Sequence, residues 1–232
     1  MKIRLSFLHV VVFLAIVIIH GCKTNTIESN DMYAGYDYYP LAEKQFVEYQ
    51  VYDTLYNGST TTDTTYYLKE VIGEQMTVGD EVWYKVNRYT RTLSSTYYPI
   101  QPDSVWSVCR NSRALIRKEN NFDFVRISFP AKKGRLWDGN ARNVYDSIAY
   151  TISVEGKPAT INNQAFSRTL TVVESNRNFL YEVNQQSAIY ASGVGMVQRD
   201  YLKLERGSQP SNLNTLLYRQ RKVTRIIAHG SE

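Results

Sequence analysis

Few side chains that ordinarily do chemistry at neutral pH occur here: three His and two Cys in 232 residues. His9 lies within an apolar N-terminal run and His20 directly after it, which leaves His229, in Ala228-His229-Gly230-Ser231-Glu232, as the candidate general base. A base must be held within hydrogen-bond reach of its nucleophile, and a chain end is expected to fray. Neither a Ser-His-Asp triad nor a Cys109–His229 pair is therefore predicted. A zinc site would have to gather carboxylates around one His, and none is assigned. Glycoside hydrolysis needs two carboxyl groups about 5–10 Å apart. The candidates Asp80-Glu81, Asp123 and Asp138 fall at turns or strand starts, where acids serve turn geometry and solubility. Asp138-Gly139-Asn140 spaces two oxygens as the start of a calcium loop does, but no Glu follows at the required distance, and Asp146 does not restore the spacing. A turn is expected there. No catalytic, cofactor-binding or metal-binding residue is assigned, and the protein is read as a non-enzyme.

The one residue to which the sequence assigns a modification is Cys22. Lys2 and Arg4 precede an almost unbroken apolar run from Phe7 to Ile19. That run is shorter than the roughly 20 residues a membrane-spanning helix requires, and it fits the core of a secretory signal peptide. Ile19-His20-Gly21-Cys22 then resembles a bacterial lipobox. The resemblance implies a signal peptide over 1–21, cleavage before Cys22, a diacylglyceryl group on its thiol and acylation of the new amine. The chain is thus expected to hold a membrane through acyl chains on Cys22, each buried CH₂ contributing about 0.8 kcal/mol. Removal of 1–21 leaves a formal charge of +3 and one free thiol, Cys109, so no internal disulfide is expected. Cys109 ends the apolar run Val105-Trp106-Ser107-Val108 and reads as a buried small hydrophobe.

Three further groupings bear on binding. Gly193-Val194-Gly195 lacks the third Gly and the strand–helix setting of a dinucleotide site, and reads as a bulge or a close backbone approach. Arg219, Arg221, Lys222 and Arg225 place four cations in seven residues. In an exported protein nucleic acid is not the expected partner; the run reads as a charged edge strand resisting edge-to-edge pairing, or as a contact with anionic headgroups. Tyrosines crowd the N-terminal half, among them Tyr38, Tyr39, Tyr52, Tyr66, Tyr67, Tyr97 and Tyr98. They form either cross-strand pairs or a surface for glycan or protein recognition.

The elements that must carry these residues follow a period of two. Val47, Tyr49 and Val51 alternate with Glu48 and Gln50; Ile148, Tyr150, Ile152 and Val154 alternate with Ala149, Thr151 and Ser153. Turn signals intervene at Asn57-Gly58, Gly79-Asp80, Lys133-Gly134, Asp138-Gly139-Asn140, Gly156-Lys157-Pro158 and Arg206-Gly207-Ser208. About ten strands with short connections and little helix predict a mainly β domain, an antiparallel meander-like sheet that either stays open or curls into a half-barrel or open barrel. Residues 179–190 fit a strand or one short helix. Residues 22–35 comprise the acylated Cys and a polar, aperiodic tether, followed by a single β-rich domain over 36–228, with 132–143 as the place where it would divide.

Three blocks carry a resemblance. Tyr38-Tyr39-Pro40-Leu41 leading into Phe46-Val47-Glu48-Tyr49-Gln50-Val51, then Phe129-Pro130 with Lys133-Gly134 and Trp137-Asp138-Gly139-Asn140-Ala141-x-Asn143, then Tyr190-Ala191-x-Gly193-Val194-Gly195-Met196-Val197, are together similar to a group of Bacteroidota outer-membrane lipoproteins with no established activity. The group carries Gly where Lys44 stands. The resemblance implies a β-rich domain lipid-anchored in the outer membrane, in its periplasmic or its cell-surface leaflet, and supplies no catalytic residue. The expected role is a non-enzymatic binding or structural accessory module of the cell envelope, with a protein or glycan partner. The alternatives are a carrier holding a lipid or other apolar ligand in a half-barrel cavity, and a carbohydrate-active enzyme.

Overall fold

The computed structural model describes residues 29–209, 211–212 and 215–232. The signal peptide, Cys22 and the tether up to residue 28 lie outside the described residues. Ser29–Ala34, expected as aperiodic tether, form a short helix, α1, and Tyr36–Tyr38 a single 3-10 turn.

Among the described residues twelve strands follow in one antiparallel sheet. The first six are β1 (Gln45–Tyr56), β2 (Thr61–Val78), β3 (Glu81–Thr92), β4 (Ser104–Arg110), β5 (Ala114–Glu119) and β6 (Phe122–Ser128). The second six are β7 (Leu136–Asp138), β8 (Ala149–Ile161), β9 (Gln164–Asn178), β10 (Glu182–Ala191), β11 (Gly195–Arg206) and β12 (Leu216–Ser231). Each strand pairs with its neighbours in sequence, and β1 also pairs with β12. The meander therefore curls into a barrel that is closed everywhere except one seam, between β6 and β7.

Alternation sets which face turns inward. Val47, Tyr49 and Val51 of β1 are buried, as are Leu68 and Ile72 of β2, Leu170 and Val172 of β9 and Ile226 of β12, all within one interior core. A smaller cluster of Trp83, Cys109, Ala114, Ile116 and Val125 packs beside Trp137 and Met76. Cys109 is buried as expected, and burial pushes its thiol up to about 11.

Several expectations are corrected. Gly156-Lys157-Pro158 is not a turn: β8 runs through it with shifts of register, and Gly156 takes a φ of 68° inside the strand. The β8–β9 hairpin closes instead on Asn162-Asn163, and the β5–β6 hairpin likewise on Asn120-Asn121. Both residues of each pair have positive φ, as two-residue hairpin turns of this hand require. Of the strand and the short helix that both fit 179–190, the structure has the strand, β10. β12 is no edge strand, since it lies between β1 and β11, and it runs past 228, through His229, to Ser231. His229 is consequently held in a ladder opposite Val47, with its ring against Phe166 at 6.3 Å between centroids.

The three sequence blocks close the barrel. The turns after β2, β4, β8 and β10 lie at one end, and there the first block acts as a stopper. Tyr38 and Tyr39 are buried, Arg110 Nη1 donates to the carbonyls of Tyr36 (3.0 Å) and Tyr39 (3.1 Å), and Gly193 N–H donates to Asp37 (2.8 Å). Gly193 and Gly195 both have positive φ, so the third block turns beneath Tyr39. Asp37 is tied further by Arg168 (3.1 Å) and Ser192 (2.5 Å). The second block bridges the seam. Val125 N–H donates to the carbonyl of Gly139 (2.9 Å), Trp137 Nε1 to that of Val125 (2.8 Å) and Asn143 Nδ2 to that of Asp123 (2.9 Å).

Candidate functional site

At the unstoppered end the interior opens into a hollow of about 390 Å³ beside the β5–β6 turn. Inward positions of β2, β3, β5, β11 and β12 supply its walls. Within these walls and behind them lies a network of ion pairs that the alternation aims into the barrel, continuing Leu68-x-Glu70 on β2 and Leu115-x-Arg117-x-Glu119 on β5.

Arg117 Nη2 donates to both oxygens of Glu70 (3.0 and 3.1 Å), and Arg88 Nε donates to the same carboxylate (3.0 Å). Arg126 grips Glu119 through Nε (3.0 Å) and Nη2 (2.7 Å) and also donates to the Tyr150 hydroxyl (3.1 Å). Arg199 Nη2 donates to Glu174 (2.6 Å), and Arg126 Nη1 lies 3.3 Å from the other oxygen of that carboxylate. Two members are turned inward by bulges. Arg126 is the extra residue of β6 opposite Leu115–Ile116, and Glu174 the extra residue of β9 opposite Gln186–Ser187. Nearer the mouth, Lys222 lies 3.3 Å from Asp53, whose carboxylate also accepts from Gln220 (3.0 Å). The Arg88 guanidinium stacks 3.6 Å from the centre of the Trp106 ring.

Burial alone would raise the carboxyl groups. For Glu70 the adjacent Arg117 and Arg88 outweigh it and hold the group below the usual carboxylate range; for Glu119, Arg126, Arg199 and Arg117 bring it to about 2. Burial also pushes the hydroxyls of Tyr39 and Tyr150 up to about 12. Glu70 and Glu119 are therefore held as carboxylates by the guanidinium groups around them, in a low-dielectric lumen.

The residues weighed in the sequence fall elsewhere. The oxygen of Asp138 accepts from the amides of Asn140 (2.9 Å) and Ile148 (3.0 Å), as the expected turn requires, and these bonds hold its carboxyl below the usual range against a partial burial that opposes them. Glu81 pairs with Arg142 (2.7 Å), and Asp123 lies 3.6 Å from Lys118. The basic run of β12 divides by alternation: Lys222 enters the lumen, whereas Arg221 and Arg225 are exposed. Tyrosines divide similarly, with Tyr38, Tyr39, Tyr49, Tyr150 and Tyr190 buried, Tyr66 and Tyr201 on the lumen wall, and Tyr52 and Tyr97 exposed. A wider, shallower hollow of about 820 Å³ is lined by Val173, Gln185, Leu202, Leu204, Arg221 and Val223.

The sequence reading missed the buried ion pairs, although the signal was present: Glu70, Arg88, Arg117, Glu119 and Arg199 are charged residues at positions where apolar ones alternate inward.

No protein-family model matches the chain, and no curated protein matches it. Among solved structures it is similar to a protein of Bacteroides fragilis assigned as exported and as having a YmcC-like fold. The identity is 9% and the TM-score 0.39, over 82% of this chain and 98% of that one.

Proposed function

We propose that the protein is an outer-membrane lipoprotein, acylated at Cys22, whose barrel serves as a non-enzymatic binding module of the cell envelope. The observation that carries the binding role is the shape of the barrel: stoppered at one end by Tyr38 and Tyr39 and open at the other onto a hollow of about 390 Å³, within the range of small-molecule sites. Binding rather than catalysis is favoured because Glu70 and Glu119 are held ionised by guanidinium groups. A glycoside-cleaving pair needs one carboxyl kept protonated near neutral pH. The ion pairs also weigh against an acyl-chain carrier, since apolar chains entering the lumen would desolvate charged groups without replacing their partners.

The full chain, expressed in a Gram-negative host and fractionated, tests the anchor. The expected result is a mature N-terminal peptide beginning at Cys22 with the mass of its acyl groups, recovered with the outer membrane. Recovery of a soluble chain with an unmodified Cys22 overturns the lipoprotein assignment.

A further inference from the structure

We infer that the lumen mouth binds a small organic anion, its carboxylate or phosphate held by Lys222 and Arg199 and its body lying toward Trp106, Leu68 and Met196. The inference deepens the binding role proposed above and rests on it.

Charge balance is the first argument. The ion-paired groups that line the hollow or stand directly behind it are Asp53, Glu70, Glu119 and Glu174 against Arg88, Arg117, Arg126, Arg199 and Lys222. Five cations face four carboxylates, an excess of one positive charge. The Lys203–Glu205 pair further along β11 neutralises itself at 2.7 Å. In a partly desolvated lumen an uncompensated cation is costly, and a bound anion removes that cost.

Geometry places the excess. Lys222 stands opposite Tyr201 in the β11–β12 ladder, and Arg199 is two residues along the same inward face. The two cations are thus diagonal neighbours, about 7–8 Å apart at the backbone, a spacing that one bridging anion can span. Their side chains are 37% and 24% exposed, so they reach solvent, whereas Arg117 and Arg126 are sealed within the network. The rest of the lining supplies an apolar and aromatic surface, with Trp106 kept flat under Arg88, and the hollow has room for a body of about ten to fifteen heavy atoms. A free metabolite and the headgroup of a lipid can both present such an anion.

Titration calorimetry on the full chain, purified as exported in a neutral detergent, tests the inference with four probes: benzoate, phenyl phosphate, the uncharged benzyl alcohol, and dihexanoyl phosphatidate. The expected result is binding of at least one anion, at least tenfold tighter than benzyl alcohol, and a tenfold or greater loss in Lys222→Met. Lys133→Met, at an exposed lysine outside the lumen, is expected to leave the affinity unchanged, and near-ultraviolet circular dichroism checks that both variants fold. Binding of phosphatidate alone identifies a headgroup as the source; binding of benzoate or phenyl phosphate identifies a free anion. If benzyl alcohol binds as tightly as the anions, or Lys222→Met leaves anion affinity unchanged, anion selection is overturned while the binding role stands. If none of the four binds at millimolar concentration, both fall.

Discussion

Lys44 enters the left-handed region at φ 67°, immediately before β1. A side chain costs roughly 1–2 kcal/mol there, because its Cβ crowds the neighbouring carbonyl oxygen. The backbone is fixed from both sides: Lys44 N–H donates to Ile72 (2.7 Å), and Glu232 N–H donates to the Lys44 carbonyl (3.0 Å). The conformation is therefore imposed by the closing of β1 on β2 and β12, and the Lys side chain contributes none of these bonds. Lys44→Gly keeps both bonds and relieves the crowding. It is expected to raise the unfolding free energy by about 1 kcal/mol, read as a higher urea midpoint at unchanged slope.

At the scale of elements the seam is the exposed weakness. Two strand edges with unpaired amides and carbonyls face each other there, and such edges invite foreign strands unless covered. The stretch from Trp137 to Asn143 covers them with a few bonds to the β6 backbone, and Gly139 lies so close to the Tyr150 ring that no Cβ fits. Gly139→Ala is expected to cost about 1–3 kcal/mol by overpacking and to speed amide exchange in residues 122–128 well before the rest of the sheet. Unchanged exchange at Val125 would show that the seam does not depend on this contact. Much at this scale was legible in the sequence: alternation identified the strand character, the apolar run before it the burial of Cys109, and Asp138-Gly139-Asn140 the turn there. What escaped was long-range. Nothing local in β12 says that it will pair with β1, so its basic run read as an edge and His229 as a frayed end. Arg126 and Glu174 could not be aimed from periodicity either, because each is the extra residue of a bulge, and a bulge breaks the period that would locate it. The turns at Asn120-Asn121 and Asn162-Asn163 were readable as Asn pairs and were passed over for Gly-containing signals.

Across the whole molecule the ion-pair network ties β2, β3 and β5 to β6, β9 and β11, so its protonation acts on the barrel as a unit. Glu119 has a folded value of about 2 against an ordinary 4.5. A carboxyl depressed in the folded state adds stability that is fully present above its unfolded value and is lost as pH falls toward its folded one. The barrel is thus expected to lose roughly 3 kcal/mol from this group between about pH 4.5 and 2, with Glu70 adding in the same direction. Glu119→Gln is expected to cost about 3–5 kcal/mol at neutral pH by removing the carboxylate charge that Arg126 grips with two nitrogens, and to flatten the acid limb. Urea unfolding at about pH 7, 4.5 and 3 checks both. A wild-type midpoint that does not move between the two lower values would show that the network is not coupled to folding.

The connections after β1, β3, β5, β9 and β11 all lie at the mouth, while the stopper, the Lys44 clasp and the last residues of β12 lie at the other end. The rim is made of hairpin tips, which tolerate insertion and exchange, and the base is locked by buried tyrosines and a shared hydrogen-bond set. A barrel built this way separates what must stay constant from what can change. Loop grafting at 57–60 or 179–181 can reshape the entrance without disturbing how the chain closes, so one base can present many entrances.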